Sequence, residues 1–155
     1  MKKILFLISL LLITSSCGFK VVNKAQQQNF HIIEVTTTGD KKINYKIKNN
    51  LIFNSKADKK KQIKVSLYSK KIKSIKEKNI KNEIKKYQII INIDIEIVEV
   101  NNLKTYKFNV SAIGEFDVFK QHSQTLNNEK KLVELLTDNI SEKILRSIGN
   151  KLNAL

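Results

Sequence analysis

Few side chains in these 155 residues have a type and spacing suited to covalent or acid–base chemistry. There is one cysteine, Cys17, and there are two histidines, His31 and His122. A single thiol excludes an internal disulfide and any cysteine-cluster zinc site. Neither histidine has a cysteine or carboxylate motif beside it, so both read as ordinary surface or core residues. No metal site or cofactor site is expected. Asp94 and Glu96 stand at i, i+2 on one strand face. That spacing could serve acid–base work, but it reads more simply as a solvated face. No Gly-x-Ser-x-Gly elbow and no glycine-rich phosphate loop occurs. The cysteine is different, because of what precedes it. Residues 1–17 read MKKILFLISLLLITSSC. Lys2 and Lys3 are followed by an apolar run from Ile4 to Ile13, broken only by Ser9, and then by Thr14, Ser15 and Ser16. This is the layout of a secretory signal peptide. It is shorter than the roughly 20 residues that a membrane-spanning helix needs.

A lone thiol directly after small residues at the end of such a run resembles the lipobox of bacterial lipoproteins. There the thiol takes a diacylglyceryl group, the peptide is cut before the cysteine, and the new amino group is acylated. Two or three chains hold a protein to a bilayer durably, where one does not. In lipoproteins of that kind, Asp after the cysteine retains the protein at the inner membrane. Gly18 therefore points to the outer membrane. The expected organisation is a signal peptide at 1–16, a lipidated Cys17 with a polar tether to residue 28, and one domain at 29–155.

The charge looks at first like that of a nucleic-acid binder: 29 Lys+Arg against 14 Asp+Glu, or +15. Yet 28 of the basic residues are Lys and only Arg146 is Arg. Arg is the side chain suited to bidentate phosphate and base contacts. A periplasmic location leaves no nucleic acid to bind. Codon bias toward Lys, Ile and Asn accounts for part of the excess. Its distribution is uneven, however. Residues 41–86 hold 17 Lys against Asp58, Glu77 and Glu83, whereas 87–119 hold more acids than bases. The densest stretch is Ser69–Lys86, SKKIKSIKEKNIKNEIKK. It reads either as a long solvated hairpin with Lys guarding the strand ends, or as a basic surface for an anionic headgroup or an acidic protein.

The elements that must position these residues follow from periodicity. Phe30–Thr37 is β-branched and reads as a strand, stopped by Gly39-Asp40, with Asp40 placed to cap a helix. Ile43, Ile47 and Leu51, with Ile52 beside them, mark that helix over 41–54. Lys56–Lys61 reads as a charged loop. Strands are expected at Gln62–Tyr68, Tyr87–Val98 and Thr105–Phe119. In the second of these, Ile89, Ile91, Ile93, Ile95 and Ile97 point one way and Gln88, Asn92, Asp94 and Glu96 the other. Asn101-Asn102 reads as a hairpin turn, and Gly114 as a bulge. Tyr87, Tyr106, Phe108 and Phe116 read as core. Asn127 and Asn128 offer a cap to a terminal helix whose stripe is Leu132, Leu136, Ile140, Ile144 and Ile148, flanked by Val133, Leu135 and Leu145. It runs to about residue 152. The order β-α-β-β-β-α implies a right-handed crossover between parallel first strands, then a meander. The expected fold is α+β: a two-layer α/β sandwich, with a four-stranded mixed sheet and both helices on one face.

Cys17-Gly18-Phe19-Lys20, the early strand and helix, the Lys-rich stretch into Tyr87-Gln88-Ile89, and Asn127-Asn128-Glu129 opening a terminal helix together resemble the LPS-assembly lipoproteins, the LptE family. The resemblance covers nearly the whole chain and rests on the order and spacing of the segments. It implies a non-catalytic lipoprotein inside the lumen of an outer-membrane β-barrel LPS-assembly protein. Such a protein plugs the barrel, assists its assembly, and contacts lipopolysaccharide on its way to the outer leaflet. The candidate contact group is Lys70, Lys71, Lys73, Lys76, Lys78, Lys81, Lys85 and Lys86. The alternatives are a lipoprotein scaffold of another envelope machine, such as a peptidoglycan synthase, and, more distantly, a periplasmic enzyme.

Overall fold

The computed structural model describes residues 30–55 and 61–153. The signal peptide, Cys17 with its tether, and residues 56–60 of the expected loop lie outside the described residues. Lys61 itself begins a strand.

Strand β1 (Phe30–Gly39) is followed by helix α1 (Lys41–Asn54). Strands β2 (Lys61–Lys78), β3 (Ile84–Glu99) and β4 (Thr105–Asp117) come next, and helix α2 (His122–Asn153) closes the described chain. The sheet order is β1-β2-β3-β4. β1 and β2 are parallel, and the other two pairings are antiparallel. The fold is α+β, with the mixed sheet and crossover that the element order demands.

Alternation builds the core. Ile89, Ile91, Ile93, Ile95 and Ile97 are at most 3% exposed. They meet Ile63, Val65 and Leu67 of β2 on the side covered by the helices. From α1 come Ile43, Ile47 and Leu51, and from α2 come Leu136, Ile140, Ile144 and Ile148. Asp40 caps α1 through its carboxylate, which accepts from the N–H groups of Lys42 and Ile43, both at 3.1 Å. Of the aromatic residues expected in the core, Phe116 is buried, and Tyr87, Tyr106 and Phe108 are half-buried against it.

Several local expectations are corrected. Strand β2 does not stop at Tyr68: Ser69–Lys78 is its second half, paired with β3 in regular register to Ile75 and, past a shift, as far as Lys78. The turn is only Asn79–Glu83. Its Asn79 Oδ1 accepts from the N–H groups of Lys81 and Glu83, and Asn82 takes the left-handed φ of 62° that Asn tolerates. Helix α2 starts at His122, one turn and more before Asn127. There Thr125 Oγ1, 2.9 Å from the Phe119 N–H, accepts from it and ties the first turn back to the preceding loop. β4 ends at Asp117, so Val118 and Phe119 belong to that loop. Gly114 is not at a bulge: it pairs regularly with Ile89. A Cβ there would stand 2.7 Å from Leu132 Cδ1, so glycine lets α2 approach the sheet. The register shifts fall instead between Ile32 and Glu34 and around Lys76. Ile52 and Leu135, expected beside the apolar stripes, are 49% and 59% exposed.

Candidate functional site

The lysine-rich segment is a two-stranded hairpin, and strand pleat divides its side chains between two faces. Lys71 and Lys73 pair with Ile91 and Ile89 and therefore lie on the helix side. Lys73 Nζ is 2.6 Å from Glu129 of α2 and sits over the ring of Tyr87, 4.3 Å from its centroid. Tyr87 is itself stacked on Phe116. Lys71 lies 4.0 Å from Asp40. On the open side, Lys70 pairs with Asn92, and Lys76 reaches Glu115 at 3.2 Å. Lys85 and Lys86 stand 3.9 Å from Glu83 and Asp117. Near the turn, Lys78 Nζ donates to Asn82 Oδ1. Lys81 is fully in the turn. The eight lysines thus surround one hairpin without converging on one point. Among the described residues, Lys70, Lys78 and Lys81 form no ion pair.

These pairs do not lock the hairpin's lysines in place. Exposed ion pairs contribute only about 0–1 kcal/mol, so an incoming anion can compete for the lysine. Lys73 is the exception, because its head group is held by a carboxylate and a ring together. Lys73→Ala is expected to lower the unfolding free energy by about 1–2 kcal/mol. Lys70→Ala is expected to change it by less than about 0.5 kcal/mol. Urea denaturation of the two variants measures the difference. A residue that composition did not bring forward also belongs to the hairpin. Ile80 is fully exposed at its tip. An isoleucine among the turn formers Asn79 and Asn82 was the available signal.

The outer face of the sheet is polar at the positions expected. Asn109 Nδ2 donates to Asp94 Oδ1 at 2.7 Å, and Ser111 Oγ donates to Asn92 Oδ1 at 2.8 Å. Glu96 pairs with Lys107 at 3.2 Å. Asp94 and Glu96 are therefore engaged in cross-strand contacts. At the edge, the Lys64 ammonium hydrogen-bonds Glu34 and holds its carboxyl below the usual range. One row breaks the polar pattern: Ile72, Ile90 and Ile113 lie side by side across three strands, with Ile113 60% exposed. His31 Nδ1 lies 3.4 Å from Ser55 Oγ, and His122 is exposed at the start of α2. Among the described residues, no group of three His, Cys, Asp or Glu could hold a metal ion, and no helix is long and apolar enough to cross a membrane.

A parallel first strand pair, a meander and two helices on one face define a class of small sandwich domain that occurs in bacterial lipoproteins of known structure. The rare lipoprotein B from Shewanella oneidensis superposes with a TM-score of 0.59 at 11% identity, over 76% of this chain and 95% of that one. Lipoprotein B from Nitrosomonas europaea gives 0.58 at 11% identity, over 83% and 90%. A minor lipoprotein from Acinetobacter baumannii gives 0.54 at 9% identity, over 78% and 93%. No protein-family model and no curated protein matches the sequence. At these identities the likeness is one of fold.

Proposed function

We propose that the chain is a non-catalytic outer-membrane lipoprotein, anchored through acyl groups on Cys17, that plugs and assists assembly of a β-barrel translocon and contacts lipopolysaccharide on its way to the outer leaflet. The observation that carries the reading is the shared sandwich, which spans nearly the whole length of the lipoprotein B structures. The lone cysteine at the end of the apolar leader and the sequence resemblance to the LptE family support it. The hairpin fits the ligand's chemistry. Lipopolysaccharide joins phosphorylated sugars to acyl chains, and the hairpin joins lysines to an exposed Ile80. Lysine serves phosphate as a point charge. The polar outer face of the sheet, with its isoleucine row, is available to the barrel wall.

The test is isolation of the mature lipoprotein from membranes. An outer-membrane barrel protein is expected to come with it, and the barrel is expected to assemble poorly in its absence. A monomeric lipoprotein beside a normally assembled barrel overturns the reading, and co-isolation with a peptidoglycan synthase favours the scaffold alternative. Lys70→Ser, Lys78→Ser and Lys81→Ser together should weaken lipopolysaccharide binding, and the loss should shrink as salt screens the lysines.

A further inference from the structure

The two ends of the sandwich differ in what leaves them. At one end lies the β2–β3 turn. At the other, six elements begin or finish together. β1 begins at Phe30, paired with Lys61 at the start of β2. The Ile32 N–H donates to Ser55 Oγ, which brings the end of α1 beside β1. The Val100 N–H donates to Gln62 O, which places the β3–β4 turn beside the start of β2. Lys61 Nζ donates to Leu152 O, which adds the end of α2. The chain toward Cys17 leaves from this same end, 13 residues from the cysteine to Phe30.

This end carries large apolar side chains in the open. Phe53, in the last turn of α1, is 88% exposed, and its neighbour Ile52 is about half exposed. Leu103, in the β3–β4 turn, is 78% exposed and has φ 57°. The left-handed region suits Gly or Asn, and a branched leucine held there is strained. Neither packing nor backbone preference accounts for leucine at that position. Lys48 lies one turn before Ile52, and Lys104 follows Leu103; both are exposed. Of the nearby acids among the described residues, Glu34 is paired with Lys64 and Glu99 is buried.

We propose that this end is a membrane-contacting surface: Phe53 and Leu103 enter the interface of the leaflet that holds the anchor, and Lys48 and Lys104 meet its anionic phospholipid headgroups. The proposal rests on the lipid-anchor reading of Cys17. Apolar side chains flanked by lysine, at the point where a tether arrives, match the chemistry of such an interface. The tether cannot set the orientation alone, because 13 residues of extended chain reach about 45 Å. Two apolar contacts on opposite flanks of the sheet would set it. The domain would stand upright, and β2, about 60 Å long, would carry the Lys-rich turn away from the leaflet.

The chain has no Trp, so single substitutions report on their own surroundings. Residues 17–155 contain every described element, and their only thiol is Cys17. Coupling that thiol to a maleimide lipid fixes the chain to phosphatidylethanolamine–phosphatidylglycerol vesicles whatever happens to Cys17 in cells. In vesicles with brominated acyl chains, the indole of Phe53→Trp and that of Leu103→Trp are each expected to lose most of their emission. That of Ile80→Trp, at the other end, is expected to keep it. Circular dichroism checks that each variant is folded. Quenching at position 80, or no quenching at 53 or at 103, overturns the proposal. Metabolic labelling of Cys17 with palmitate tests the anchor separately.

Discussion

Ile91→Ala is expected to lower the unfolding free energy by about 3–4 kcal/mol, while Ile90→Ala, one residue away, costs less than about 1 kcal/mol. The two side chains are identical and sit on the same strand. Ile91 is fully buried between β2, β4 and the helices. Its truncation leaves a cavity that a close-packed interior cannot collapse to fill. Ile90 lies half-buried on the outer face, in the row with Ile72 and Ile113, where its truncation leaves a surface dent open to solvent instead of a closed cavity. Urea denaturation of both variants reads the difference as a shift of the midpoint at constant slope. Equal losses would mean that the outer face is covered in the isolated chain. If the barrel wall covers the isoleucine row, Ile90→Ala should weaken barrel association while sparing stability.

That contrast also explains what was legible before the structure. Burial on one face imposes a period, and the period can be read. Five isoleucines at i, i+2 marked β3, and Leu136, Ile140, Ile144 and Ile148 marked α2, because each of those positions faces the core. The parallel β1–β2 pair followed from the helix between them. The second half of β2 imposed no such pattern. Beyond Ser69, Lys70, Lys71, Ile72, Lys73, Ser74 and Ile75 are all exposed, and pairing with β3 rather than burial keeps them extended. The start of α2 escaped for a similar reason. His122–Leu126 has no apolar stripe, and the tie from Thr125 to Phe119 depends on a loop that periodicity does not describe. The candidate site was legible in composition but not in arrangement. Which lysine holds Glu129 and which stands free depends on strand pleat and on a bulge near Lys76. For Gly114, the residue type was informative and the reason was not: what matters is Leu132 on the helix above it.

Gly39→Ala is expected to lower stability by about 3 kcal/mol, and Gly149→Ala to raise it by about 0.5–1 kcal/mol. The same methyl group has opposite effects because the backbones differ. Gly39 has φ 99°, a region that side chains rarely adopt. Its Cβ would fall 2.0 Å from the carbonyl oxygen of Ser69. That oxygen belongs to backbone and cannot swing aside. Relief requires β1 to withdraw from β2 at its last pair, where the Asp40 N–H donates to Ser69 Oγ at 2.9 Å. Asp40 is also the cap of α1, so withdrawal costs the helix its first hydrogen bonds as well. Gly149 lies within α2 with nothing within 4 Å of an added Cβ, and there alanine only removes freedom from the unfolded chain. Thermal unfolding separates the two variants by sign. Gly39 ends β1 at Ser69 and leaves the rest of β2 without a neighbouring strand on that side.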